Sequence, residues 1–270
     1  MRVALFCLQF FLLSTFVIGQ EKEDRMSFII EMEYGAIAGS ETINTGNPSD
    51  FLLKYGSYKS YFSPFSASLF FHKNWGVGVR FQLNYFADKQ FSGEKINSNL
   101  EQRFGSSYFI DNNNVFTPDV TNSKFHYSYF FGIRHRYEIG KVQLMTSLYY
   151  GTNEFEVGIY SATLKQKGGN EIIDYDLRSR LNDSSGENFL RLKTLMPTVQ
   201  VGYALTPYLY LNANLNYSIA FSDFSFVESL EYQISQEQLE TLFTYNESHT
   251  SFQIGVGIQV NLNKLGDAIF

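Results

Sequence analysis

The sequence predicts an all-β fold, a transmembrane antiparallel up-and-down β-barrel of eight strands with long loops at one end. The first observation is strict alternation: in residues 252–262, six apolar side chains alternate with five small or amide residues. This pattern puts every apolar side chain on one face, over the length that a tilted strand needs to cross a bilayer. The second observation is that eight such segments occur. The third is that the connections between them are alternately short and long.

Four segments in the first half of the chain alternate in this way. Residues 27–38, 61–71, 77–85 and 125–137 place mainly apolar side chains at every second position. The opposite faces carry small or polar residues, among them Glu31, Glu33, Ser66, Ser68, Arg80, Gln82, Asn84, His126, Ser128, Arg134 and Arg136. Because an apolar face suits lipid, we expect the polar faces to line the barrel interior.

Four further segments complete an even number of strands. They are residues 142–150, 198–205, 209–221 and 252–262, and we expect the second of them to begin upstream, near Leu190. Closure into a barrel is required because an open sheet would leave unpaired backbone groups in hydrocarbon, each costing several kcal/mol.

The connections orient the barrel. Those after the second, fourth and sixth strands are tight turns, at residues 72–76, 138–141 and 206–208, whereas those after the odd strands are long. Short periplasmic turns and long extracellular loops are typical of bacterial outer-membrane barrels. Both termini are therefore expected to be periplasmic.

The N-terminus has the features of an export signal. A short positive region precedes an apolar run over residues 3–18, with Gly19 at the end of the run. We expect residues 1–19 to be a cleaved signal peptide and residues 20–270 to form the outer-membrane β-barrel domain. The only cysteine, Cys7, lies in this signal, so the mature chain would contain no thiol.

Composition agrees with a barrel. Aromatic residues make up 17% of the chain, proline is scarce, and the mean hydropathy of −0.18 is near neutral, as expected when lipid-facing and polar positions alternate. The net charge of −6 has no basic stripe, so nucleic acid is not an expected partner. We also expect no cofactor and no catalytic or metal site.

The inward face brings together charges of both signs. The residues Glu31, Glu33, Arg80, Arg134 and Arg136 would all point into the lumen. An eight-stranded lumen is only wide enough to be filled by side chains or to admit something very small. Charges in such a space are costly unless paired, so we predict a Glu–Arg network that plugs the lumen. The expected amide contributors are Gln82, Asn84, Gln143, Gln200, Asn214 and Gln253. A selectivity ring in a conducting pore is the alternative and would need more strands.

Two loops have structure of their own. Residues 154–165 and 171–181 both alternate around Lys167-Gly168-Gly169-Asn170, which predicts a hairpin standing above the membrane. If this hairpin were inserted in the membrane, the barrel would have ten strands, but its charged residues argue against this. In the last loop, residues 235–240 predict one or two helical turns capped by Ser235.

Other residues have alternative interpretations. Asp111, Asp174 and Asp176 are candidate cation ligands, although solvated surface charge is the better interpretation because their spacing is not that of an EF-hand. Aromatic residues near the strand ends, Tyr61 and Trp75 among them, are expected to form the two interfacial girdles.

The last strand carries a recognisable motif. Gln253-x-Gly255-x-x-Ile258-x-Val260 resembles the C-terminal β-signal that the outer-membrane assembly machinery reads in Gram-negative barrels. With the topology, it makes nearly the whole mature chain similar to small outer-membrane barrels of the OmpX/OmpA-barrel-like and PorT-like types. The chain departs from them in its tail, because residues 263–270 continue beyond the signal.

The resemblance leaves several functions open. We expect an integral outer-membrane barrel, monomeric and not an enzyme, whose loops serve binding, adhesion or envelope integrity and whose partners are outer-membrane lipid, lipopolysaccharide and a protein or surface ligand. PorT-like similarity implies the alternative of a subunit in an outer-membrane protein export or assembly complex. A narrow pore is another alternative. A lipid A-modifying enzyme is the last, since His126 and Ser128 share a strand face and are weakly similar to a lipid A deacylase site.

Overall fold

The computed structural model describes residues 26–39, 58–72, 74–86, 93–116, 125–180, 189–221, 223–245 and 249–269. The predicted signal peptide lies outside these residues. The strands are β1 (Ser27–Gly39), β2 (Tyr58–His72), β3 (Trp75–Phe86), β4 (Tyr108–Phe116), β5 (Phe125–Ile139), β6 (Val142–Glu156), β7 (Ile159–Gln166), β8 (Ile172–Ser179), β9 (Phe189–Ala204), β10 (Leu209–Ala220), β11 (Phe224–Tyr232), β12 (Gln238–Tyr245) and β13 (His249–Asn261). The helices are α1 (Gly93–Phe104) and α2 (Leu262–Ile269).

Eight strands close into an antiparallel barrel in the order β1-β13-β10-β9-β6-β5-β3-β2, which confirms the predicted fold class. The first and last strands form the closing seam, in which Glu31 lies opposite Gln259 and Gly35 lies opposite Gly255. The β7–β8 hairpin is not part of the barrel, so the strand count is eight and not ten. Neither of the helices in the described part of the chain is long and apolar enough to cross a membrane.

The period-two pattern produces an apolar outer wall and a polar interior. Along β5, for example, Phe131 is 62% exposed on the outside, whereas Arg134 is 1% exposed on the inside. The same alternation holds on β10, where Leu211 and Leu215 face outward and the asparagines between them are buried. The wall therefore presents side chains that suit lipid, and the lumen is filled by polar groups.

One inward residue contradicts the sequence-based expectation. Tyr61 was expected in an interfacial girdle but is completely buried inside the barrel. The pairing of β2 with β1 is irregular between Glu31 and Glu33, because two residues of β2, Pro64 and Phe65, lie opposite the single residue Met32 of β1. This bulge, at Pro64, reverses the alternation of β2, so that Phe65 faces outward and Tyr61 faces inward.

Above the barrel, the long loops form a second sheet of five strands in the order β12-β11-β8-β7-β4. The predicted β7–β8 hairpin is present, with Gly168 at φ +74° in its turn. The expected helical turn at residues 235–240 is wrong, since β11 and β12 form a hairpin there. A turn with Gln236 at φ +57° leads into β12 instead.

A hydrophobic core holds this extracellular sheet together, and helix α1 contributes to it. Ile96 and Leu100, one turn apart on α1, are completely buried against Tyr160, Tyr175 and Leu177 of the sheet. The upper ends of the barrel strands add side chains to the same core, among them Val157, Leu192 and Ala220. The sheet is therefore a folded layer that is packed on the barrel by apolar contacts.

Candidate functional site

The middle of the lumen is organised around the guanidinium group of Arg134. It pairs with both carboxylate oxygens of Glu31, and its Nη2 donates to Gln200 Oε1 at 3.0 Å. Its Nε donates to Ser147 Oγ at 3.1 Å, and Ser68 accepts a further bond. Five planar donors thus meet acceptors from four different strands, a geometry that suits arginine better than lysine. The predicted residues Glu31 and Arg134 are brought together here.

A second ion pair lies above the first, toward the extracellular side. Arg80 Nη1 lies 2.9 Å from Glu33 Oε2, and both side chains are buried. The Tyr61 hydroxyl donates to Glu33, and the Arg80 guanidinium carbon lies 5.4 Å from the centre of the Tyr61 ring. Tyr61 reaches this position only because of the β2 bulge, which strict alternation in the sequence does not reveal.

The third layer closes the periplasmic end. Arg136 donates to Ser27 Oγ at 3.0 Å and lies over the ring of Phe70, so it does not join the Glu31 and Glu33 pairs. Glu138, on the same strand, lies 3.4 Å from the ammonium group of Lys264. Lys264 belongs to α2, which follows β13 on the opposite side of the barrel, and it also contacts the Tyr210 hydroxyl at 3.1 Å. The C-terminal helix therefore closes the periplasmic mouth.

Amide side chains connect the first of these layers, around Arg134, with the third, at the periplasmic end. Gln143 donates to Glu138 at 2.9 Å and accepts from Gln259 at 2.8 Å. Gln200 then bridges Gln259 and Glu31. Hydrogen bonds thus run without interruption from Lys264 at the periplasmic surface to Arg134 in the middle of the lumen. Gln143 and Gln200 were expected in this network, whereas Gln259 and Lys264 were not.

The other expected amides lie higher in the barrel. Asn84 donates to Ser128 Oγ and Asn153 Oδ1, at 2.8 and 3.1 Å. Ser128 in turn donates its hydroxyl proton to Asn153 Oδ1 at 2.6 Å. His126 is buried on the same face, but the Ser128 proton is directed to an amide instead of an imidazole. Gln82 belongs to this cluster, while Gln253 and Asn216 lie beside Tyr61.

The predicted assembly signal has a clear packing role at one position. Gly255 lies opposite Gly35 across the seam, and Tyr61 covers the pair. A Cβ atom at Gly255 would lie 2.2 Å from the Tyr61 hydroxyl and 2.6 Å from Glu33 Oε1. Gln253 points inward, and Ile258 faces the membrane. Reading of Gln253, Gly255, Ile258 and Val260 by the assembly machinery stays a prediction.

In the extracellular sheet, the buried carboxylate of Glu228 forms an ion pair with the partly exposed Arg103. Glu228 of β11 is 2% exposed; Arg103 of α1 binds both of its oxygens, and the Tyr175 hydroxyl donates to it at 2.8 Å. Burial, together with the negative charge of Glu228, raises the pKa of Tyr175, so it stays protonated as a donor. Burial alone raises the pKa of Tyr160 to about 12. The ion pair between Arg103 and Glu228 fixes helix α1 on the sheet.

The extracellular sheet exposes charged side chains together with some large apolar ones, among them Phe109 and Leu242. Asp111 pairs with Lys165, and Asp174 accepts from Gln233 at 2.8 Å. Burial raises the pKa of Asp176, and the neighbouring Asp174 and Glu231 raise it further. Within the described ranges, no three His, Cys, Asp or Glu side chains converge as metal ligands. The candidate cation ligands Asp111, Asp174 and Asp176 thus lie on one sheet without forming a cage.

The chain was compared with protein families, curated proteins and solved structures. No protein family and no curated protein matches the chain. Among solved structures, Neisserial surface protein A is 13% identical, with 87% of this chain and 98% of that one covered and a TM-score of 0.42. The attachment invasion locus protein Ail of Yersinia pestis is 12% identical over 88% and 99%, with a TM-score of 0.32. The outer-membrane protease OmpT of Escherichia coli is 7% identical over 87% and 96%, with a TM-score of 0.34.

The structural class of the chain follows from the closed barrel. Eight antiparallel strands, an apolar outer wall, short turns at one end and a folded layer at the other are the features of bacterial outer-membrane barrels. The chain is a small eight-stranded β-barrel protein of the Gram-negative outer membrane.

Proposed function

We propose that this protein is a sealed, non-enzymatic membrane anchor that presents a folded binding surface outside the cell. The observation that carries the proposal is the extracellular sheet, in which three loops combine into five strands around a hydrophobic core that also reaches the upper ends of the barrel strands. Loops that only connect strands do not need such a core. A layer of this kind is suited to holding binding residues in place, because its three inner strands, β11, β8 and β7, are paired on both sides.

The lumen supports the first half of this proposal. Two buried ion pairs, Arg134–Glu31 and Arg80–Glu33, fill its centre, and Lys264 closes its periplasmic end. An eight-stranded barrel leaves space only for side chains, so this arrangement opposes ion flow. We therefore infer that the chain does not act as a pore, and that its partners are met on the extracellular side.

The positions of His126 and Ser128 support a role without catalysis. Both lie inside the barrel, away from the acyl chains that a lipid-modifying enzyme must reach. The Ser128 hydroxyl also donates to Asn153, so its proton is not directed to a base.

Removal of the β7–β8 hairpin tests the binding function. Residues 159–179 would be replaced by a short Gly-Ser linker, which leaves β6 and β9 paired up to Glu156 and Phe189. Gram-negative cells carrying the intact chain should attach to cultured epithelial cells or to one another more than cells carrying the shortened chain. The shortened barrel should still migrate as a folded, heat-modifiable species on gels. Equal attachment by both strains would contradict the proposal.

Single-channel recording tests the sealed lumen. The purified barrel in a planar bilayer should give no defined conductance steps. Replacement of Arg80 and Glu33 by alanine in the same protein is the matched comparison, because it removes side-chain volume from the lumen without changing its net charge. Steady conductance by the unmodified barrel would rule out the sealed-anchor proposal.

A further inference from the structure

The outer wall of the barrel carries an open trough with a volume of about 510 Å³. Outward-facing side chains of six adjacent strands line it, from Phe28 on β1 to Leu195 on β9. The lining is almost wholly apolar. The trough therefore lies on the part of the wall that faces lipid, and it is separate from the lumen and from the extracellular sheet.

The order of large and small side chains explains the trough. On β3, Val77 and Val79 stand between Trp75 and Phe81 on the outer face. Strand β2 shows a similar order, with Phe65, Ala67, Leu69 and Phe71. Phe65, Phe81 and Tyr129 lie side by side in register, and Trp75 packs at a tilt of 58° against His135 with ring centres 4.8 Å apart. Two aromatic ridges thus enclose a floor of shorter aliphatic residues.

The inner side of the wall keeps this floor in place. Gly78 and Gly132 lie opposite each other at the centre of the trough, and both would point their side chains into the lumen. A Cβ atom at Gly78 would lie 2.8 Å from Arg134 Cδ and 3.2 Å from the Tyr149 hydroxyl. The backbone therefore lies directly against the Arg134 layer, which makes the shape of the trough a consequence of the packing in the lumen.

Strand positions give the depth of the trough in the membrane. Val77 is two residues from the periplasmic end of β3, or about 7 Å. Tyr150 is eight residues from the periplasmic end of β6, which corresponds to about 19 Å along the membrane normal for a tilt of about 45°. Since the hydrocarbon core is about 30 Å thick, its midplane lies about 15 Å from the periplasmic interface, so most of the trough lies in the periplasmic leaflet and its upper end passes the midplane by about 4 Å.

We propose that this trough is a binding site for one acyl chain of a glycerophospholipid in the periplasmic leaflet. The apolar lining favours a hydrocarbon chain. The depth of the trough in the membrane favours a lipid of the periplasmic leaflet, because an acyl chain from the outer leaflet would reach only the upper end of the trough. Trp75 marks the lower end, where tryptophan side chains favour the interface and the lipid headgroup would lie. The site is independent of the extracellular binding function.

Two matched variants test the site. Val79→Phe would place a ring in the floor of the trough. Val256→Phe makes the same change on β13, which lies outside the trough and whose valine also faces lipid. The protein and both variants would be purified in dodecyl maltoside with added 1-palmitoyl-2-oleoyl-phosphatidylglycerol and examined by native mass spectrometry. The unmodified protein and Val256→Phe should each retain one lipid, and Val79→Phe should retain at least fivefold less.

Trp75 provides a second readout, because it is the only tryptophan in the chain. Phosphatidylglycerol with brominated acyl chains should quench its fluorescence, and part of this quenching should persist after dilution into unbrominated vesicles. Val79→Phe should lose the persistent part. Heat-modifiable migration on gels would show that each variant is folded. Equal lipid retention by both variants, or displacement of the phospholipid by lipid A, would overturn the proposal.

Discussion

The lumen and the extracellular sheet belong to one chain but are stabilised in opposite ways. The lumen is filled by polar side chains, with Arg134 and Glu31 at its centre, whereas the sheet is built on apolar residues such as Leu177 and Phe226. The difference follows from what surrounds each region. Lipid covers the barrel wall, so apolar side chains gain nothing by moving inward, while water surrounds the sheet and drives apolar side chains into its core.

The comparison shows that the two regions should respond differently to the same kind of substitution. In the lumen, removal of one charge leaves its partner buried and unpaired, so the cost depends on which partner remains. In the sheet, removal of an apolar side chain leaves a cavity, and the cost depends on volume. The predictions below test this contrast.

The largest effect is expected at Arg134. Replacement by methionine would leave Glu31 as an unpaired buried carboxylate, which should lower the free energy of unfolding by about 3–5 kcal/mol. Urea-induced unfolding of the barrel in lipid vesicles would measure the loss. The double variant Arg134→Met with Glu31→Leu removes both charges and should recover most of it. If the double variant were as unstable as the single one, the lumen would not depend on charge pairing.

A cavity in the sheet should have a comparable effect that is confined to the loops. Leu177 is completely buried, so Leu177→Ala should destabilise the sheet by about 2–5 kcal/mol. Hydrogen exchange should speed up in β7, β8 and β11 and remain unchanged in the barrel strands. Faster exchange in the barrel would show that the two regions unfold as one unit.

An added methyl group at the seam should have a smaller effect. Gly255→Ala would force Tyr61 and Glu33 away from their present positions, and overpacking of this kind costs about 1–3 kcal/mol. The midpoint of urea unfolding should fall accordingly. In the double variant Gly255→Ala with Tyr61→Phe, the hydroxyl that meets the new methyl is absent, so part of the stability should return. If the double variant recovered no stability, the loss in Gly255→Ala would arise from assembly of the barrel and not from packing against Tyr61.

The smallest effect is expected on the surface of the sheet. The pKa of Asp176 is raised in the folded state, so its charged form is less favourable there than in the unfolded chain. Its favourable contribution to stability is therefore fully present below the unfolded-state pKa and is lost as the pH rises from there through the higher folded-state pKa. Asp176→Asn should stabilise the sheet at pH 7 by less than about 1 kcal/mol and have no effect at pH 3. Hydrogen exchange in β8 at the two pH values would measure the difference, and an equal effect at both would contradict this origin.

The sequence by itself determined the barrel, its eight strands and the side of each strand that faces lipid, except in the part of β2 that precedes its bulge. The alternation of apolar and polar residues is a local property of each strand. It is expected wherever one face of the strand contacts lipid and the other face lines a filled lumen. The sequence also determined the β7–β8 hairpin, because the turn-forming residues Gly168, Gly169 and Asn170 lie between two alternating segments.

Only the tertiary structure decided which polar groups meet. Arg136 was grouped with the other charges of the lumen, but it lies nearer the periplasmic end, beside Ser27 and Phe70. The height of a residue along the barrel axis depends on strand tilt and register, which a single sequence does not give. The bulge that turns Tyr61 inward, the helix α1 and the shared sheet of three loops were equally hidden. Each depends on contacts between segments that are distant in the chain, whereas a periodic pattern reports only on the nearest residues.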